Sequence, residues 1–274
     1  MLLRPAHLSF PSSPRQLFGR DGPVAAEVGI GNGLFVAALA ASHPDWNVVG
    51  LELSPSSVTR AFRLLRRERA ANARLFLGHA RFFIRNVAAP GSLARVYVNF
   101  PDPWPRPKHH HKRLLTADFF RLLADRLAPD GALLLTTDHE GYFDFARAQA
   151  AATGLYRTEE GPPPPETLRT KYARKWEARD RSFFHAAFHR TGEGPGASPD
   201  LDLLPPDAMH HAVLQGALPA PDTFEKYAVP IRGGHVVLRE VYRSLAGDAL
   251  LFLVHLEEPD LTQEVIVEAR PSKN

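Results

Sequence analysis

Short apolar runs alternate with helix-period stretches along residues 1–191. Pro23 to Val28, Asn47 to Leu53, Ala73 to Leu77, Leu93 to Phe100 and Gly131 to Thr137 read as strands, and the segments between them as helices. Five strand–helix alternations predict a parallel, doubly wound α/β sheet. The first helix, around Leu34 to Ala40, is apolar nearly all round and is expected to pack inside. The second, Pro55 to Ala71, is amphipathic: Val58, Ala61, Phe62 and Leu65 form a core stripe, and a rotation of about 100° per residue puts Arg60, Arg63 and Arg67 opposite it. After Arg190 the texture changes to a Gly/Pro/Ser/Asp linker, residues 192–207. Beyond it His235 to Tyr242, Ala249 to Glu257 and Glu264 to Ala269 are strand-like, punctuated by Gly247-Asp248 and Glu258-Pro259-Asp260. A small antiparallel meander follows from that pattern. The domain organisation is thus a larger domain over 1–191, the linker 192–207 and a small extension over 208–274.

Charge sharpens the division. The net charge of +3 hides 27 Lys+Arg against 17 Asp+Glu in residues 1–191, and 6 against 13 in residues 192–274. A polyanion is attracted to the first segment and repelled by the second, so the acidic extension is expected to brace the larger domain and not to hold a nucleic acid. With no cysteine in the chain, disulfides, thiolate zinc sites, iron–sulfur clusters and thiol nucleophiles are all excluded. The apolar run Leu34 to Ala41 falls far short of the ~20 residues of a membrane span, and Pro5, His7 and Pro11 interrupt any leader-like stretch. A soluble, cytoplasmic protein is expected.

The first strand ends in Glu27-Val28-Gly29-Ile30-Gly31-Asn32-Gly33 and runs straight into a helix, a place where the chain turns tightly and a ligand can approach backbone. The spacing is G-x-G-x-G and not the dinucleotide G-x-G-x-x-G, so a pyrophosphate is not the obvious guest. Glu52 lies 19 residues after Gly33, where an acid can accept from both hydroxyls of a ribose. Glu27 would repel a phosphate but favour an ammonium group. A ribose and an amino-acid ammonium together describe S-adenosylmethionine.

The fourth strand delivers PDPWPRPKHHHKRLL, residues 101–115, at the carboxyl edge of the sheet. Asp102 is held between two prolines, Trp104 offers a face for a base, and Arg106, Lys108, Lys112 and Arg113 suit phosphates. Three consecutive His side chains point in different directions in a loop, and with no second cluster of ligands no metal site is expected.

These residues resemble the tRNA (guanine-N(7)-)-methyltransferase family. The resemblance covers about residues 20–191 and rests on E-x-G-x-G-x-G, on Asn99 to Pro105 with the basic stretch His110 to Leu114, and on Thr170-Lys171-Tyr172. It implies a Rossmann-like class I S-adenosylmethionine-dependent methyltransferase fold, here with a small mainly β C-terminal extension, acting on a guanosine in the variable loop of tRNA. By that resemblance Glu27, Glu52, the glycines 29, 31 and 33 (Gly29, Gly31, Gly33), His79, Ala80 and Asn99 bind the cofactor, and Asp102 is the catalytic or cofactor-side carboxylate. Arg106, Asp138, Thr170, Lys171 and Tyr172 are the implied substrate contacts. Two positions depart from the family pattern: His79 stands where an acid is usual, and Ala173 where a Glu is usual.

The alternatives are few. Cytosine-5 and radical methylation need the missing cysteines. An exocyclic-amine methyltransferase is the nearest enzymatic rival, since Asn99-Phe100-Pro101-Asp102 loosely resembles N-P-P-[YFW]; a nicotinamide-dependent oxidoreductase and a non-catalytic RNA-binding protein are more distant. RNA contact is expected along 106–113, on the Arg60/Arg63/Arg67 face and at Arg169, Lys171, Arg174, Lys175, Arg179 and Arg181. The protein is expected as a monomer or homodimer with tRNA as partner and neither membrane nor metal.

Overall fold

The computed structural model describes residues 1–3, 8–169, 183–192, 213, 223–231, 234–258 and 262–271. Thr170, Lys171 and Tyr172, with Ala173, Glu177 and the basic positions 174, 175, 179 and 181, lie outside the described residues, as does linker 193–207. The chain divides into two compact units, Met1–Leu201 and Asp202–Asn274.

In the first unit the order is β1 (Leu2–Leu3), α1 (Pro14–Phe18), β2 (Val24–Val28), α2 (Leu34–Ser42), β3 (Asn47–Glu52), α3 (Pro55–Arg67) and β4 (Ala73–Leu77). Then come α4 (Ala80–Phe82), running on as a π-helical turn (Phe83–Val87), β5 (Leu93–Asn99), a 3-10 helix (Pro107–Lys112), α5 (Ala117–Arg126) and β6 (Leu127–Thr137). The unit closes with α6 (Glu140–Ala151), β7 (Tyr156–Glu160), a second 3-10 helix (Pro165–Arg169) and β8 (Phe184–Arg190).

One eight-stranded sheet has the order β1-β4-β3-β2-β5-β6-β8-β7. All five expected strands form and pair in parallel, while β8 is antiparallel to both β6 and β7. The expected fifth strand starts earlier than Gly131: Leu127 already pairs with Leu93, and a register shift precedes the pair Arg95 with Ala132. Gly131 belongs to that irregularity, because a Cβ there would stand 2.8 Å from the Ala128 carbonyl oxygen.

Strict alternation along the parallel strands builds two cores. Val24, Ala26, Val49, Leu51, Phe76, Val96 and Val98 face the layer that holds α1, α5 and α6, and Ala25, Val48, Leu75 and Tyr97 face α2 and α3. Strands buried on both faces are what βαβ crossovers require. The expected amphipathicity of α3 is realised: Val58, Ala61 and Leu65 are buried, and Arg60, Arg63 and Arg67 are exposed. Its helical span stops at Arg67, short of Ala71, with Arg69 in the left-handed region at φ 53. Among the described residues no helix is long and apolar enough to cross a membrane.

The second unit is a four-stranded antiparallel meander, β9 (Tyr227–Ile231), β10 (Gly234–Arg243), β11 (Leu250–Glu257) and β12 (Thr262–Ala269), in the order β12-β11-β10-β9. The three expected strands are β10 to β12. β9 went unread because it contains Pro230, which donates no N–H and is therefore tolerated on this edge strand.

Candidate functional site

The sheet order reverses between β2 and β5, and in open α/β folds the crevice at such a switch point, outside the carboxyl ends of the strands, receives ligands. The same alternation that sorts the cores puts Glu27, Glu52 and Asn99 on the α2–α3 side, each at or next to the end of its strand. Asn99 Nδ2 donates to Glu27 Oε1 at 3.2 Å. Glu27 is 3% exposed, and its Oε2 is buried without a hydrogen-bond partner. Burial, aided by the nearby Glu52 charge and opposed by the Asn99 hydrogen bond and the Val36 backbone N–H, pushes the Glu27 carboxyl up to about 8. A buried carboxylate with an orphaned oxygen is expensive on its own, and a cationic ligand group would satisfy it.

Three backbone donors fix Glu52. Its Oε2 accepts from Gly31 N at 3.0 Å, and its Oε1 from Leu53 N at 2.8 Å and Ser54 N at 2.9 Å. The acid thereby ties β3 to the glycine loop, and Oε2, with a single donor, keeps a lone pair for a hydroxyl. Gly29, Gly31 and Gly33 have φ of 76, 54 and 80, and a Cβ on Gly29 or Gly31 would meet nothing within 4 Å. Those two glycines thus line open space. Gly33 differs, since its Cβ would lie 2.7 Å from Ala61 Cβ, so it serves the close approach of the loop to α3. We expect Gly33→Ala to lower the melting temperature by roughly 5–10 °C, from left-handed strain and overpacking together. Ala61→Gly placed on top should recover part of that loss, although a mid-helix glycine alone is destabilising; strictly additive losses would refute the packing cause. Gly50 was missed by the sequence reading. It lets Ile30, 5% exposed, anchor the glycine loop into the sheet, and a Gly within an apolar strand was the available signal.

The proline loop leaves β5 under strain. Phe100 and Trp104 stand at φ 50 and 43, a conformation that side-chain-bearing residues seldom adopt and that concentrates at functional sites. Two ties hold it. Phe100 N donates to Thr136 O at 2.7 Å, and Arg113 Nε donates to Pro103 O at 3.0 Å, with Nη2 3.4 Å from Trp104 O. The Arg113 guanidinium lies over the rings of Phe145 and Tyr142, 4.7 and 5.7 Å from their centroids. Arg113 is only 8% exposed, which corrects its expected role as a phosphate contact: its donors are turned inward on the loop's own carbonyls. Trp104 is likewise less open than expected, because Lys112 Nζ sits 4.8 Å from its ring centroid and His109 meets it at 5.9 Å. Asp102, Arg106 and Lys108 are exposed, as a substrate-facing loop requires.

Other expected residues distribute around this edge. His79 and Ala80 follow β4 at the start of α4, both half-buried. Asp138 follows β6, and the helix after it is capped by His139, whose Nδ1 accepts from Tyr142 N at 3.1 Å; the capping task does not fall to Asp138. Fully buried Thr167, which carried no signal in the sequence, is 3.5 Å from Asn99 Oδ1 and brings the 3-10 helix Pro165–Arg169 to the Glu27–Asn99 pair. The three His occupy successive positions of the 3-10 helix Pro107–Lys112, and no metal-holding group of His, Asp and Glu occurs among the described residues.

An orphaned buried carboxylate for an ammonium, a second acid for ribose hydroxyls and two glycines bordering open space fit the amino-acid and nucleoside ends of one cofactor. On this sheet order they define a class I S-adenosylmethionine-dependent methyltransferase. A family profile described as "Putative methyltransferase" matches residues 21–186. A tRNA (guanine-N(7)-)-methyltransferase of Thermus thermophilus is 50% identical over 273 residues, 99% of this chain and 86% of that protein, and the chain belongs to the tRNA (guanine-N(7)-)-methyltransferase family. Relatives of the same name in Deinococcus radiodurans and Thermotoga maritima are 40% and 29% identical, over 97% and 93% of this chain and 85% and 80% of theirs.

Proposed function

We propose that this chain, in the cytoplasm, methylates N(7) of a guanosine in the variable loop of tRNA. The observation that carries the reading is the adjacency of two features at the switch point: the buried Glu27 oxygen that lacks a partner and the strained loop Phe100–Trp104 leading into basic, exposed Arg106 and Lys108.

S-adenosylmethionine supplies an electrophilic sulfonium methyl. Glu27 accepts from the cofactor's ammonium and Glu52 from its ribose hydroxyls, with Gly29 and Gly31 giving it room against the backbone; His79, Ala80 and Asn99 complete the cofactor set. Guanine N(7) carries a lone pair and no proton, so the residues have a base to orient and none to deprotonate. Asp102 or Asp138 accepts from the N–H groups on the guanine's Watson–Crick edge, which turns N(7) away from that carboxylate and toward the methyl. Arg106, Thr170, Lys171 and Tyr172 hold the surrounding RNA.

Incubation with labelled S-adenosylmethionine and unfractionated tRNA should yield label in 7-methylguanosine. Recovery in another nucleoside, or in none, would overturn the reading. Asp102→Ala should lower turnover at least tenfold while cofactor affinity and melting temperature stay near those of the parent, because Asp102 is exposed and bears on the base, not the fold. Near-normal turnover would remove Asp102 from the site.

A further inference from the structure

A groove of about 600 Å³ runs between α2 and α3. It extends from Leu34, the first residue of α2, to Pro44 and Asn72, which precede β3 and β4 at the amino edge of the sheet. Its α2 wall is small and apolar, with Ala37 and Ala41 opposite Leu64 of α3. Its charged lining is Arg20, Arg67, Arg69 and Arg169 against one acid, Glu68.

The arginines divide by what they already bind. Arg20 is committed within the protein, donating to Asn47 Oδ1 at 2.7 Å and to the Trp46 carbonyl. Arg67 shares Glu68 Oε1 at 3.0 Å. Arg69 and Arg169 are exposed, and their guanidinium groups make no hydrogen bond or ion pair among the described residues. Arg69 also occupies, at φ 53, the position after a helix end where Gly or Asn relieves left-handed strain. A strained backbone carrying an uncommitted guanidinium at the mouth of a cavity suits a demand for that side chain more than one for local stability. Arg63 and Arg67, one turn apart on α3, continue the charge out of the groove along an exposed helix face.

An arginine rim over a small, apolar wall matches an RNA strand: guanidinium groups take phosphate oxygens, and the wall admits a sugar or base face. We propose that the α2–α3 groove is a second RNA site, which takes the tRNA backbone at a place other than the nucleotide being methylated. The inference rests on tRNA being the substrate. The groove holds the body of the tRNA, so it contributes to affinity for whole tRNA and not to the methyl-transfer step.

The test compares the parent with Arg69→Glu and with Arg67→Ala/Arg69→Ala, using intact tRNA and a short hairpin containing only the variable-loop guanosine. For intact tRNA, both variants should raise KM at least tenfold at about 0.1 M salt, with kcat and the KM for S-adenosylmethionine unchanged. The slope of log affinity against log salt should shrink by about one for each phosphate that the variant no longer neutralises. Hairpin methylation should be unaffected. Unchanged KM and salt slope for intact tRNA, or an equal rise for the hairpin, would overturn the groove site. Should the parent methylate no tRNA, direct tRNA binding still decides: equal affinity of parent and Arg69→Glu overturns the groove, whereas weakened binding upholds it while the methylation reading fails. Loss of binding to polyglutamate with tRNA binding intact would assign the groove to an acidic protein and overturn the proposal.

Discussion

Glu27→Gln should stabilise the ligand-free protein while weakening its hold on S-adenosylmethionine, and both effects should grow with pH. The Glu27 carboxyl is raised from 4.5 to about 8, chiefly by burial. Between those values the folded chain holds a proton that the unfolded chain has released. The stability linked to that proton is therefore complete below pH 4.5 and is lost as pH rises through about 8. Glutamine has no such dependence, so the melting temperature of the variant should pull ahead of the parent's across this window, by the equivalent of a few kcal/mol at its upper end. Cofactor binding runs the other way. An ammonium pairs with the ionised carboxylate, so parent affinity should increase from pH 6 to 8, and each binding event should release up to one proton from Glu27. Glutamine should bind about 10- to 100-fold more weakly at pH 8, the scale of a charge-assisted hydrogen bond. Calorimetry in two buffers of different ionisation enthalpy reads the proton count. A parent affinity flat between pH 6 and 8, with no proton released, would remove Glu27 from the ammonium site.

Arg113→Ala should cost roughly 100-fold in turnover, although Arg113 is not assigned to substrate or cofactor. Its loss leaves the carbonyls of Pro103 and Trp104 without their donor and removes a guanidinium packed on Phe145 and Tyr142. Each deserted carbonyl costs about 1–3 kcal/mol if it stays buried, so the loop has every reason to move. A displacement near 1 Å at a positioned reacting group is enough for a loss of about 100-fold. Cofactor affinity should change less than threefold, because Glu27 and Glu52 sit on β2 and β3. Arg113→Lys separates shape from charge: it keeps the cation but loses the planar fork, so it should recover part of the melting temperature and little of the turnover. Full recovery of turnover by lysine would show that charge alone matters.

Arg113 also marks the limit of the sequence reading. In sequence it stands with Lys108 and Lys112 in a basic run, and nothing local distinguishes a guanidinium meant for phosphate from one turned inward. Its partners decide, and they come from the loop ten residues before it and from rings on α6 about thirty residues after it. Gly33 poses the same problem at smaller scale, since its spacing fits a ligand-lining glycine but Ala61 on α3 explains it by packing. For β7 the obstacle was different. The run Tyr156–Glu160 is mostly polar because its strand lies on the sheet edge, where one flank needs no apolar cover.

By itself the sequence determined what is local and periodic: the five parallel strands, the basic face of α3, the tight glycine turn after β2 and the acids beside it. Each of these is written in neighbouring residues, through a period of two or 3.6 or a backbone that only glycine allows. The tertiary structure alone decided the antiparallel edge, the orphaned oxygen of Glu27, the clamp of Arg113 on the strained loop and the groove between α2 and α3. Those depend on which side chains meet across the sheet and between helices, and burial, pairing and charge take their values from that encounter.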